Sequence, residues 1–296
     1  MKSILHLHQE FCQHQIVFKN NTPRTIKWFK EVINYFVKQT EIINLEEVNK
    51  NAIENWLIKG KCESNWSART IRNRLGNLRL FFKWCVLRGH LKENPANDIP
   101  VPKVESKIPK HLTREQSTLI LDWAKCYPYY HSYEKPRALA ILAVFLFTGI
   151  RLQELLNLKL NDVNIKESVI FIQAGKGRKD RMIPMNAQLK RYLEQYVAVR
   201  SQINKHSVHF FVSLICKGQM SDLVIKRLFK KIKEKSGVHI HAHLLRHTFA
   251  VLMLEAGCNL FSVSRLLGHS DIKTTTIYLS ATVAHLQDQI SKHPLQ

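Results

Sequence analysis

The sequence predicts a mainly α-helical chain in two parts, with a small β-sheet or hairpin confined to the second part. Three observations predict it. Apolar residues recur at helical spacing on both sides of a break. The break is NPANDIPVPKVESKIPK, Asn94 to Lys110, where four of the nine prolines fall and interrupt any regular helix. One pair of short, strand-like runs flanks a glycine-rich turn.

In the first part, Thr22 and Pro23 sit where an N-cap and a first-turn proline belong, and Ile26, Phe29, Ile33 and Phe36 follow at helical spacing. From Ser67 to Gly89, Ile71, Leu75, Leu78 and Phe82 share one face, while Arg69, Arg72, Arg79 and Lys83 gather elsewhere. Those cations are either a solvated face or a grip on phosphates. In the second part, the apolar run Ala138 to Phe147 falls short of the roughly 20 residues that span a bilayer and reads as a buried helix. Ser168 to Gln173 and Arg181 to Met185 read as two strands joined by AGKGRKD, a hairpin with a charged tip. The segment from Ser221 to Gly237 then predicts a helix capped by Ser221, with Leu223, Ile225, Leu228 and Ile232 buried. Its opposite face carries Lys226, Arg227 and Lys230 and suits a major groove.

Charge narrows the function classes. The 45 Lys and Arg against 23 Asp and Glu leave +22, too large for an ordinary solvated surface, so a polyanionic partner is expected. The excess divides into +9 over residues 1–110 and +13 beyond, so both parts face the polyanion. No amphipathic Lys-rich helix with a lipid-seeking face is evident, which favours nucleic acid over a membrane. Six cysteines without a CxxC pair suggest reduced thiols in a cytoplasmic protein, and the N-terminus lacks the pattern of a secretory signal.

The stretch His239 to Ala250, HIHAHLLRHTFA, carries four histidines and one arginine. Alternating His239, His241 and His243 suggest a zinc site, but no HExxH, acidic cluster or cysteine pair completes one, and the arginine repels a divalent cation. A phosphate fits better: His243 and Arg246, three apart on a helix, offer an imidazole and a guanidinium fork to one anion.

Other segments extend this pattern. TGIRLQEL (Thr148 to Leu155), GKGRK in the hairpin turn, HLLRH, and LLGHSDIKTTTIYLS (Leu266 to Ser280) follow one another over about 130 residues. Together they resemble the tyrosine recombinases, or phage integrase family: TGxRxxEL, GKGxK, HxLRH, then LGHxxxxTTxxY. The resemblance covers nearly the whole chain and is most similar to the simple two-domain Xer-type members. It implies a helical core-binding (SAM-like) DNA-binding domain over 1–100, a linker over 101–110, and a catalytic domain over 111–296.

By the same resemblance, Tyr278 is the nucleophile, Arg151 and Arg246 clamp the non-bridging phosphate oxygens, and Glu154 orients the arginines. His243 accepts the phenolic proton, Lys176 protonates the leaving 5′ oxygen, and His269 hydrogen-bonds the phosphate and buttresses the tyrosine. Two guanidinium forks suit a transition state that gathers charge on those oxygens. A phosphotyrosyl link stores the bond for religation, so neither metal nor ATP is expected as a cofactor. Arg178 and Lys179 join the DNA-contacting cations, and His239, His241 and His247 receive no catalytic role. The expected partner is double-stranded DNA bearing a specific recombination site, held by a homo- or hetero-tetramer on paired sites. The tail after Tyr278, with Val283, Leu286 and Ile290, resembles a helix exchanged between protomers. A one-protomer topoisomerase and a DNA-binding regulator without chemistry are the competing readings. Because so many cations would displace condensed counterions, binding to DNA should weaken steeply with added salt in an equilibrium titration, and a flat dependence would contradict the clamp.

Overall fold

A computed structural model of the chain describes residues 3–105, 109–173, 180–203, 207–213, 218–269 and 271–278, and polar side chains cap the starts of several helices, though Ser221 makes no such side-chain bond at the start of the helix that follows it. The residues fall into two units, Met1–Ser106 and Lys107–Gln296. No helix among the described residues is long and apolar enough to cross a membrane.

The first unit contains α1 (Ile4–Val17), α2 (Pro23–Thr40), α3 (Lys50–Cys62) and α4 (Ala68–Leu87). The Thr22 hydroxyl accepts from the Thr25 N–H at 3.2 Å and caps α2, and Ser67 caps α4 in the same way through Thr70 at 3.1 Å. Ile26, Phe29, Ile33 and Phe36 are buried, as are Leu75, Leu78 and Phe82 on α4, with Ile71 packed at their edge. Arg79 does not face outward: its guanidinium donates to the carbonyls of Ala96 at 2.9 Å and Asn97 at 3.0 Å, and also to Ile99. Carbonyls left unpaired by the proline-broken chain need donors, and Arg79 supplies them. Arg72 remains exposed while donating to the Pro102 carbonyl at 3.0 Å, and Arg69 and Lys83 are exposed.

The second unit runs α5 (Arg114–Cys126), α6 (Glu134–Thr148), α7 (Leu152–Asn157), β1 (Val163–Asn164), β2 (Val169–Ile172), β3 (Arg181–Pro184), α8 (Ala187–Ile203), α9 (Asp222–Ser236), α10 (Ala242–Glu255), α11 (Leu260–Leu267) and α12 (Lys273–Thr276). Helix α6 is buried on every side from Ala138 to Leu146 and packs against α5, α8 and α10. The strands form an antiparallel sheet in the order β1-β2-β3, with Val169 opposite Pro184 and Ile172 opposite Arg181. The expected hairpin thus forms and gains a third short strand; its tip, with Lys176, Arg178 and Lys179, lies outside the described residues, as does the tail beyond Tyr278. On α9, Ile225, Phe229 and Ile232 face the core, Leu228 is half-buried, and Leu223, expected inside, is exposed. The fourth core place belongs to Phe229, because 225, 229 and 232 continue one stripe at four- and three-residue steps that 223 leaves.

Gly149 ends α6 in the left-handed conformation, with φ 60° and ψ 23°. A Cβ there would lie 2.5 Å from Phe249 Cδ1 and 2.8 Å from Leu267 Cδ2, so the end of α6 can approach these side chains of α10 and α11 this closely only as a glycine. Gly149→Ala should cost about 2–4 kcal/mol from crowding and left-handed strain. Gly76→Ala on α4, where nothing lies within 4 Å, should be neutral or stabilising by up to about 1 kcal/mol. Urea unfolding midpoints of the two variants check both.

Candidate functional site

The site begins where α6 stops. Gly149 turns the chain, Ile150 is buried, and Arg151 becomes the N-cap of α7. Three residues on, Glu154 reaches back: one carboxylate oxygen accepts the Arg151 backbone N–H at 2.9 Å and the other accepts its guanidinium at 2.7 Å. A carboxylate in the first turn also meets the positive end of the helix. Arg181, at the start of β3, donates to the same two oxygens at 3.1 and 2.8 Å. Burial alone would raise the Glu154 carboxyl, but hydrogen bonds and charge from Arg181, then Arg151, bring it down to about 2.

Arg246 comes from the first turns of α10 and is 4% exposed. It donates to the Gly149 carbonyl at 2.7 Å and the Leu267 carbonyl at 2.8 Å, and the same nitrogen that meets Leu267 lies 2.9 Å from His269 Nε2. Burial first, then the charge of Arg151, lowers its guanidinium to about 9, still protonated at neutral pH. Three arginines converge on successive carbonyls at the end of α11. Arg181 Nε meets Leu266 at 2.8 Å, Arg246 meets Leu267, and Arg151 meets Gly268 at 3.2 Å. These are carbonyls that a helix C-terminus leaves unpaired, and they carry the negative end of its dipole. A Cβ on Gly268, whose φ is +64°, would lie 2.9 Å from Arg181, so the close approach requires glycine.

His269 links this cluster to the last described turn. Burial, and then Arg246 and Arg151, lower it to about 4, so it is neutral and accepts from Arg246 through Nε2. Its Nδ1 then donates to the Thr275 hydroxyl at 2.7 Å, and the Thr275 carbonyl accepts the Tyr278 N–H at 3.0 Å. Tyr278 is 2% exposed, with its ring among Phe249, Val251, Leu254, Val263 and Leu267. Its hydroxyl lies 2.8 Å from His247 Nδ1. Burial raises the phenol's pKa, and Arg246 and Arg151 pull against that rise.

Residues 110–285 match the Phage integrase family, over half of the chain. The chain belongs to this family. It is a site-specific recombinase, and therefore an enzyme. It is 30% identical over 299 residues to the tyrosine recombinase XerC of Thermodesulfovibrio yellowstonii, covering 96% of this chain and 95% of that one. Against the tyrosine recombinase XerD of Rickettsia bellii the identity is 31% over 277 residues, 88% of each chain. A crystal structure of XerH site-specific recombinase in a post-cleavage complex with palindromic difH substrate is alike in fold. Its TM-score is 0.76 at 19% identity, covering 96% of this chain and 83% of that one.

Within this recombinase, the structure brings together Arg151, Glu154, Arg246, His269 and Tyr278. His243 sits exposed in the first turn of α10, and the histidine that meets the tyrosine hydroxyl is His247. Lys226, Arg227 and Lys230 are exposed on α9, where Lys226 pairs with Asp222 at 2.8 Å and Lys230 with Glu234 at 3.7 Å. Sequence reasoning missed two residues. Arg181 was read as the first residue of a strand, yet its side chain is 8% exposed and it braces Glu154. A lone carboxylate among basic motifs was the available signal that a further cation must answer it. His247 was expected only to pack and bond locally, and its partner is the reactive candidate itself.

Glu154→Gln leaves two guanidiniums facing each other and should cost about 3 kcal/mol. Because the folded carboxyl titrates at about 2 and an ordinary one at 4.5, its contribution is present above pH 4.5 and disappears as pH falls toward 2. Denaturant midpoints measured across that window should fall more for the wild-type chain than for Glu154→Gln, the two curves converging at the acid end.

Proposed function

We propose that this recombinase cuts and rejoins double-stranded DNA through Tyr278. The observation that carries the reading is the gathering of Arg151 and Arg246 beside the turn that bears the tyrosine, with Glu154 and Arg181 bracing the first of them. Phosphodiesters resist attack because negative oxygens shield the phosphorus and gain charge in the transition state; fixed guanidinium forks answer both difficulties. In the proposed step the Tyr278 oxygen bonds to phosphorus, the bond to the 5′ oxygen breaks, and a 3′-phosphotyrosyl link forms. Lys176 protonates the departing oxygen and His243 takes the phenolic proton. His269, neutral and tied to Arg246, holds the clamp in line with the phosphate. A second 5′-hydroxyl reverses the step, which conserves the bond and needs neither metal nor ATP.

The partner in this reading is a specific recombination site, consistent with the DNA-bound assembly of XerH, and the acting species is a tetramer on paired sites. The first unit serves as the core-binding domain, with Arg69, Arg72 and Lys83 as exposed cations, and Lys226, Arg227 and Lys230 of the second unit also contact DNA. Arg178 and Lys179 approach DNA from the hairpin tip, and the segment after Tyr278 is exchanged between protomers. Action on such sites places the protein in the cytoplasm.

A nicked suicide substrate selected from random DNA tests the chemistry. The wild-type chain should form an SDS-resistant adduct, and Tyr278→Phe should form none while binding the same DNA within about twofold, since only a transition-state group is lost. An adduct persisting in Tyr278→Phe would remove the nucleophile from this assignment.

A further inference from the structure

The proposed nucleophile is not presented to solvent. A phosphorus atom of DNA must come within bonding distance of the Tyr278 oxygen, yet the residue is 2% exposed and its ring is enclosed by α10 and α11. The hydroxyl lies 2.8 Å from His247 Nδ1, with the two rings 5.5 Å apart and tilted by 56°. His247 follows Arg246 directly on α10, so the helix turns one side chain to the carbonyls of α11 and the next toward Tyr278.

We infer that His247 is a positioning residue for the strand-cleavage reaction, a latch whose Nδ1 holds the Tyr278 hydroxyl in a withdrawn state that DNA must open. The inference rests on the reading of Tyr278 as the nucleophile. Chemistry and geometry agree on the direction of the bond. Burial, with His243, Arg246, His241 and His111 around it, lowers His247 to about 4, so the imidazole is neutral and its Nδ1 is free to accept. The phenol, kept protonated by burial, is the donor. The latch has a short lever: α12 has four residues, and Tyr278 lies two residues beyond it. Opening it breaks the neutral hydrogen bond to His247 and the packing of one ring, while the arginine bonds to the carbonyls of α11 are made by other residues.

The test uses the full chain. Hydrogen exchange of the peptide containing residues 271–278 reports opening of the latch, and peptides from α6 and α10 report the fold. His247→Ala should speed exchange in the first peptide about five- to tenfold, the change expected from losing one ordinary hydrogen bond, with α6 and α10 unchanged. Tyr278→Phe should do the same, and the double variant should add nothing to either. His247→Asn, whose side-chain oxygen falls close to the position of Nδ1, should restore slow exchange. In single-turnover cleavage of the suicide substrate, His247→Ala should form adduct several-fold faster than wild type, and His247→Asn at the wild-type rate. Additive effects in the double variant, unchanged exchange in His247→Ala, or slower cleavage in that variant with its fold intact would each overturn the latch. If the wild-type chain forms no adduct, the nucleophile reading fails instead, and the exchange results still decide whether His247 holds Tyr278.

Discussion

Three successive carbonyls at the end of α11 hold three arginines, and the site exists because of that arrangement. Arg181, Arg246 and Arg151 arrive from β3, α10 and the turn after α6, and each gives a hydrogen bond to Leu266, Leu267 or Gly268. Guanidiniums brought this close repel one another, the more strongly as water is excluded. Helix-end carbonyls answer the repulsion without adding a titratable group, because they need donors and carry partial negative charge. Both glycines around them are steric requirements of the same contact: Gly149 admits Phe249 and Leu267, and Gly268 admits Arg181.

Glu154 supplies the rest of the compensation, and its position makes it selective. It bonds Arg151 and Arg181 but not Arg246. Arg246 is the one lowered to about 9, by its burial and by Arg151. Three guanidiniums against one carboxylate, with His269 neutral, leave these five groups with an excess positive charge. An anion brought to Arg151 and Arg246 completes the balance, which is why the geometry suits a phosphodiester better than a neutral ligand.

Much of this was legible in the sequence wherever the determining interactions are local. Thr22 before Pro23, the stripe on α4, the all-apolar α6 and the strands flanking a glycine-rich turn each specify an element within a few residues. Arg151, Glu154, Arg246, His269 and Tyr278 were legible because they recur in motifs of fixed spacing. What failed to show was long-range. Arg181 meets Glu154 across 27 positions and Leu266 across 85, and Arg79 serves carbonyls 17 to 20 residues away. A cation's sequence neighbours say only that it is basic; its carbonyl partners decide whether it faces solvent or the fold. Leu223 failed for a different reason: a helix with more apolar residues than its buried stripe admits must leave one outside, and periodicity alone does not select which.

The two halves of the cluster are built from interactions of different strength, and the difference follows the work each must do. Arg151, Arg181 and Arg246 are held by charge-assisted hydrogen bonds, roughly twice as strong as neutral ones, so a phosphate arriving at them meets preformed geometry. The turn that carries Tyr278 is tied by neutral histidines instead, His269 through Thr275 and His247 through the phenol. On the reading of Tyr278 as the nucleophile, a group that must travel to phosphorus is fastened less firmly than the groups that receive the phosphate. Charging either histidine would strengthen nothing, because each accepts a hydrogen bond through an unprotonated nitrogen; burial first, and then neighbouring histidines and arginines, keep both neutral. The same positive field that prepares the clamp for DNA thus also maintains the weaker, reversible ties of the tyrosine.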